Sequence, residues 1–184
     1  QLHRRQRQMC IRDRPSGAGK TTLIKKALEY ASNNSKKFVL SISHTTRKPR
    51  DGEQNGEDYV FLTEDEFLNN IKKEEYLEYA IVHGNYYGTP KSEIDQNLSK
   101  GLKVILEIDW QGALQIMKHY PSAESIFISP PSVDELRKRL TDRGLDSDEV
   151  INRRIEGAQE EMSKSNHFKH QITNISLDLS LIHI

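Results

Sequence analysis

The stretch Arg14-Pro15-Ser16-Gly17-Ala18-Gly19-Lys20-Thr21-Thr22 reads as most of a phosphate-cradling loop running into a helix. In the pattern G-x-x-x-x-G-K-[ST], glycines let consecutive backbone N–H groups curl around phosphate oxygens. The lysine reaches the outer phosphates, and the hydroxyl serves a Mg²⁺ ion. Gly19, Lys20 and Thr21 fill the last three places, and Leu23, Ile24, Ala27, Leu28 and Ala31 follow at helical spacing. The loop therefore meets a helix N-terminus, whose partial positive charge favours phosphate. A flexible loop before an ordinary helix cap is the plainer alternative, but it gives the lysine and the hydroxyl no purpose. Arg14 stands where the pattern has glycine, and residues 1–13 do not read as the apolar strand that would deliver the chain into the loop.

Around this loop there are 184 residues, enough for one domain with small inserted subdomains and a sizeable interior. Formal charge is zero with 29% charged residues, so general affinity for a nucleic-acid backbone is not indicated and any anion recognition must be local. The one cysteine, Cys10, allows no internal disulfide and fits a reducing compartment. With no apolar run of membrane-spanning length and no apolar segment behind the basic N-terminus, the expectation is a soluble cytoplasmic protein without a membrane partner. Residues 1–14 carry five arginines and read as a solvated tail or as sequence foreign to the native reading frame, with a basic arm for nucleic acid or membrane as the alternative.

Downstream, apolar strands alternate with helical patterns, which predicts an α/β fold on a parallel or mostly parallel sheet. The first helix should end near Ala31, followed by a turn at Ser32-Asn33-Asn34-Ser35 and a buried strand over residues 38–43. Residues 44–56 are too polar for core and read as a loop. Tyr59-Val60-Phe61 is a short strand, and Thr63-Glu64-Asp65-Glu66 is a capping box that opens a helix through Phe67, Leu68 and Ile71. A strand over 76–82 leads to a turn over 83–88, then a short helix from Pro90 to Gly101. The strand 104–109 ends in acids, where α/β folds place their chemistry. A helix, the strand 125–129, a helix capped by Ser132, a turn over 141–146, a helix over 147–163 and a strand over 170–174 complete the pattern.

Several motifs in this order resemble the guanylate kinases, which move the γ-phosphoryl group of ATP to GMP. They are the loop from Pro15 to Thr22, Ser43-His44-Thr45-Thr46-Arg47-Lys48-Pro49-Arg50, Gly56-Glu57-Asp58-Tyr59, Gly84-Asn85-Tyr86-Tyr87-Gly88-Thr89-Pro90, Leu106-Glu107-Ile108-Asp109-Trp110-Gln111-Gly112 and Pro130-Pro131-Ser132. The resemblance covers residues 15–174. It implies a P-loop kinase with a mostly parallel sheet flanked by helices, a GMP-binding insertion over about 43–90 and a lid over about 139–154, between atypical tails at 1–14 and 175–184. It implies a step in guanine nucleotide recycling, with ATP and GMP as substrates and Mg²⁺ as cofactor. It says nothing of oligomeric state.

Phosphoryl transfer between nucleotides needs positive charge and N–H donors around developing negative charge, and exclusion of water. Arg47 and Arg50 lie three apart in a polar loop, where forked guanidiniums can grip a phosphate, and Tyr59 and Tyr87 can add hydroxyls. The resemblance assigns these four to the GMP phosphate. Guanine presents an N1–H and an exocyclic amine, which a carboxylate can accept. By resemblance Glu78 reads the base, with Ser43, Gly88, Thr89 and Asp109 beside it, although a glutamate in a strand read alone is a solvent-facing residue. Arg139, Arg143 and Arg154 flank a turn containing Gly144. They match lid arginines that close over ATP, against the alternative of solvated helix faces. Pro15, Ser16, Gly17, Ala18, Gly19, Lys20, Thr21 and Thr22 would hold the ATP phosphates, Thr21 would ligate Mg²⁺, and Asn174 would lie near the ATP base. GMP supplies the attacking oxygen, so no nucleophilic side chain is expected, and His44 reads as a loop residue.

Beside a kinase for a different nucleoside monophosphate, which the base-reading acid and Ser43 distinguish, two further readings remain open. One is a guanylate-kinase-like interaction module without catalysis, which typically lacks an intact phosphate loop. The other is a chain inactivated at its ends, because the Cβ of Arg14 falls where backbone must turn tightly and approach phosphate.

Overall fold

A computed structural model of the chain describes residues 9–13, 20–33, 37–142, 144 and 147–175, with the backbone path alone for 9–13, 20–23 and 25. The chain divides into two units, one formed by Gln1–Ile11 with Phe38–Ala123 and the other by Arg12–Lys37 with Glu124–Ile184. The division falls within strand β1 (Met9–Asp13).

In the first unit β2 (Phe38–Leu40) pairs in parallel with β7 (Lys103–Glu107), Val39 opposite Val104. Val104, Ile105 and Leu106 are all buried, the continuous apolar run of a strand covered on both faces. A separate four-stranded sheet has the order β4-β3-β6-β5. Its strands are β3 (His44–Thr45), β4 (Val60–Phe61), β5 (Tyr76–Val82) and β6 (Asn85–Pro90). β6 pairs antiparallel with both β5 and β3. Helix α2 (Glu64–Lys72) opens with the capping box read from sequence, Thr63 and Glu66 each bonding the other's backbone N–H. It buries Phe67, whose ring stacks on Tyr76 at 4.5 Å and on Tyr86 at 5.3 Å. Burial of one such ring is worth roughly 1.5–3 kcal/mol, so α2 is a main anchor of this small sheet. Helix α3 (Lys91–Ser99) follows a Pro90 cap and buries Ile94 and Leu98. Helix α4 (Trp110–His119) packs through Ala113 and Ile116.

The second unit contains α1 (Lys20–Asn33), whose Ile24 is buried, and the parallel pair β8 (Glu124–Ser129) and β9 (His170–Thr173). Helix α5 (Val133–Asp142) packs on α6 (Asp148–Ser163) through Leu136 and Leu140 against Ile151, Ile155 and Ala158.

The α/β class holds, and several local readings change. A strand does precede the stretch read as a phosphate loop: the run is only Met9, Cys10 and Ile11 before Arg12 and Asp13, too short among arginines to stand out in the sequence. The predicted strand over 38–43 stops at Leu40. Beyond it the Ser41 N–H still bonds the Ile105 carbonyl, and the chain then leaves for the other sheet at His44. The turn expected over 83–88 is only His83-Gly84, and residues 85–90 form β6, because Tyr86 and Tyr87 prefer a strand over a coil. Asp109 caps α4 instead of ending a strand. The first and fifth helices run on to Asn33 and Asp142, past their predicted ends. The tail reading for 175–184 falls outside the described residues from 176 onward.

Candidate functional site

The loop between β3 and β4 carries the phosphate-gripping candidates. Arg47 is held on one side by Glu53, its Nη2 donating to both carboxylate oxygens at 2.8 and 2.9 Å, and by the Lys48 carbonyl at 2.7 Å from Nη1. Its guanidinium carbon lies 5.4 Å from the Tyr59 ring centre and 5.8 Å from that of Phe61. Tyr59 meets Tyr87 edge-on at 6.0 Å. Burial works against the Arg47 charge, but hydrogen bonds and charge from Glu53 and Tyr87 outweigh it and push its pKa up. Burial likewise works against Glu53, and the Arg47 guanidinium and the Arg50 N–H overcome it and hold the carboxyl below its ordinary value. Arg50 is exposed, and its N–H donates to Glu53 at 2.8 Å. Arg47, Tyr59 and Tyr87 thus form one cluster, and Arg50 joins it through Glu53, a residue that the motif reading passed over. Its spacing, three after Arg50 and six after Arg47 in the same loop, was the available signal.

The base-reading candidates are assembled by β5, β6 and α4. Alternation along β5 turns Tyr76, Glu78 and Ala80 inward and Tyr79 and Ile81 outward. Glu78 is 3% exposed, which overturns the solvent-facing reading of a lone strand glutamate. Its register partner Thr89 donates from Oγ1 to Glu78 Oε1 at 2.6 Å. Burial pushes the Glu78 carboxyl up to about 7. The Thr89 hydroxyl opposes that shift, and the Asp109 charge adds to it. Asp109 caps α4, accepting from the Gly112 N–H at 2.9 Å and from Gln111 Nε2 at 3.0 Å. A buried acid pushed up to about 7, beside a second acid, is a candidate functional group.

Ser43 is buried where its carbonyl accepts from the Val60 N–H. Gly88 has a packing reason of its own: a Cβ there would lie 2.9 Å from both Phe67 Cζ and Tyr76 Cδ1. His44, read as a loop residue, is a β3 residue whose Nδ1 lies 3.0 Å from the Tyr76 hydroxyl. Burial pushes its pKa down, against a smaller opposing effect of Glu75.

In the other unit Arg139 bonds Glu135 Oε1 at 2.9 Å and the Asn174 carbonyl at 3.3 Å. Asn174 is buried, and its N–H donates to the Ser129 carbonyl at 2.8 Å. Two residues 35 apart in sequence are therefore neighbours. Arg154 is half-buried on α6. Lys20, Thr21 and Thr22 lie in the first turn of α1. Pro15, Ser16, Gly17, Ala18, Gly19, Arg14 and Arg143 lie outside the described residues. Among the described residues no group of three or more His, Cys, Asp or Glu could hold a metal, and no helix is long and apolar enough to cross a membrane.

Comparison with known proteins converges on one family. The family model described as guanylate kinase matches residues 6–184. A guanylate kinase of Dechloromonas aromatica is 51% identical over 167 residues, 91% of this chain and 81% of the relative. One of Vibrio cholerae is 48% identical over 168 residues, 91% of this chain and 80% of the relative. The crystal structure of guanylate kinase from Anaplasma phagocytophilum superposes with a TM-score of 0.77 at 34% identity, covering 95% of this chain and 80% of that one. With its motif order, its fold and these relatives in agreement, the chain belongs to the guanylate kinase family.

Proposed function

We propose that this chain phosphorylates GMP to GDP with ATP as donor, and that residues 43–90 hold the acceptor while residues 139–154 form a lid over the donor. The carrying observation is Glu78, a buried carboxylate hydrogen-bonded by Thr89 with Asp109 close by. Ionised, Glu78 accepts from the N1–H and exocyclic amine of guanine. Adenine has no N1–H to offer, so the same carboxylate discriminates between the two purines. Ser43, Thr89 and Asp109 complete the base contacts. Arg47, Arg50, Tyr59 and Tyr87 bind the acceptor phosphate, for which the Arg47–Tyr59–Tyr87 cluster is support.

In the transfer, a GMP phosphate oxygen attacks the γ-phosphorus of ATP, the bond to the bridging oxygen breaks and ADP leaves. Lys20, Arg139, Arg143 and Arg154 offset charge on the transferring group, and the backbone N–H groups of residues 15–22 cradle the donor phosphates. Asn174 lies against the ATP base, which the Arg139 contact to its carbonyl supports. Mg²⁺ in such sites is bound largely by phosphate oxygens and few protein ligands, so the Thr21 hydroxyl in the first turn of α1 is a fitting donor. When bound, the ion would supply Lewis-acid charge to offset negative charge on the donor phosphates. The single cysteine supports a reducing, cytoplasmic setting, and the balanced charge supports small-molecule partners over nucleic acid.

The test is an ATP-dependent assay with GMP, AMP, UMP and dTMP in competition. GDP should be the dominant product, and equal use of two or more acceptors would overturn the reading.

A further inference from the structure

Gly112 sits in the first turn of α4, three residues after the Asp109 cap. Its backbone is not left-handed, so glycine is not required there for conformation. Within a helix glycine is also less favourable than alanine. The reason for it lies across from the helix. A Cβ on Gly112 would come 2.8 Å from Glu78 Cδ and closer still to Oε2.

Glu78 has little freedom to retreat. Its other oxygen is bonded to Thr89 at 2.6 Å, and it is almost wholly buried. The free edge of β5 is also tied to α4. Gln115 accepts from the Tyr79 N–H at 3.3 Å and donates to the Tyr79 carbonyl at 2.8 Å, and Gln111 donates to the Ile81 carbonyl at 3.3 Å. These amides stand in for a neighbouring strand and keep β5 close to the helix. The same glycine donates its N–H to Asp109 at 2.9 Å. One residue therefore seats both acids, Asp109 through its N–H and Glu78 through the absence of a side chain.

We propose that Gly112 is a specificity-determining positioning residue: its bare Cα makes the room in which the Glu78 carboxylate stands to read the nucleobase, and any side chain there displaces that carboxylate. The inference rests on the reading of Glu78 as the guanine acceptor. Gly112 acts through Glu78 and touches no reacting atom.

The experiment compares Gly112→Ala, Glu78→Asp, the double variant and Glu78→Gln by GMP and ATP kinetics, by preference for GMP over AMP and by Tm. Gly112→Ala should lower kcat/KM for GMP by about tenfold or more and leave the KM for ATP within about twofold. It should also lower Tm, although alanine in an unobstructed helix would raise it. In the Glu78→Asp background the carboxylate withdraws by one methylene, so the same alanine should have little further effect on GMP kinetics and should not lower Tm. If Gly112→Ala does not fold, comparison of the double variant with Glu78→Asp decides alone. A double variant that folds supports the inference, and one that also fails overturns it, because the clash is then not with Glu78. Equal losses in both backgrounds, or a Gly112→Ala protein with raised Tm and unchanged GMP kinetics, would likewise overturn it. If Glu78→Gln leaves the preference for GMP over AMP intact, the base-reading assignment itself fails. If Glu78→Gln abolishes that preference while Gly112→Ala is silent, only the role of Gly112 fails.

Discussion

Arg47 and Glu53 form a two-oxygen ion pair, one guanidinium nitrogen lying 2.8 and 2.9 Å from the two carboxylate oxygens, with both side chains under a fifth exposed. Glu53 also accepts the Arg50 N–H, so one carboxylate fixes the shape of the loop that presents both arginines. Charge-assisted bonds of this kind contribute more than an exposed ion pair, because little water screens them.

Glu53→Gln should therefore leave Arg47 less well aimed. The expected result is a rise in the KM for GMP of about ten- to hundredfold, corresponding to the roughly 1.5–3 kcal/mol of a hydrogen bond to a charged group, with the KM for ATP unchanged. Steady-state kinetics with each substrate varied checks it. A lower KM for GMP would mean instead that Glu53 competes with the phosphate for Arg47.

The raised pKa of Glu78 makes two pH effects run in opposite directions. As the proposed guanine acceptor Glu78 must be ionised, so kcat/KM for GMP should climb as pH rises through about 7 and level off above it. Stability should fall on the acid side of that climb, between about 4.5 and about 7. The folded-state pKa lies above the unfolded value, so the contribution of Glu78 is fully present below the unfolded pKa, near 4.5, and is lost as pH rises through about 7. The difference amounts to about 3 kcal/mol. Thermal melts of the ligand-free protein between pH 5 and 8 should show this decline, and Glu78→Gln should flatten both profiles.

How far the sequence discloses the site depends on what holds each residue in place. The capping box at Thr63 and Glu66 and the continuous apolar run of β7 are local patterns, so they are legible from the sequence alone. Glu78 is not. Its burial depends on pairing with β6, whose tyrosines sit beside glycines and read as a turn, and on a helix thirty residues further on. Gly112 and Glu53 escaped notice because one is defined by missing atoms and the other is a common surface residue type. Gly112 gains its meaning only from an approach across the fold to Glu78, and Glu53 from pairing with two arginines of its own loop. The short strand β1 was hidden by the arginines around three apolar residues.

The strand also changes the expectation for Arg14. Because Met9–Asp13 already leads the chain toward the loop, Arg14→Gly alone should raise kcat/KM for ATP by about tenfold or more, without a rebuilt strand ahead of it. That gain should vanish when Lys20 is replaced by Ala. ATP-dependent turnover of the unaltered chain, Arg14→Gly and Arg14→Gly/Lys20→Ala checks it. A chain that already turns over at about 1–100 per second before any change would show that an arginine is tolerated at this position.

The account stands on Glu78 as the group that reads guanine, and calorimetric binding of GMP and AMP tests it most directly. Binding of GMP or AMP alone involves no ATP, so the measurement is set apart from the Arg14 question. At pH 8 the unaltered protein should prefer GMP, and Glu78→Gln should reduce that preference by about 10²-fold, because an amide turns one of guanine's acceptors into a competing donor. GMP and AMP bound with the same ratio of affinities before and after the change would contradict it.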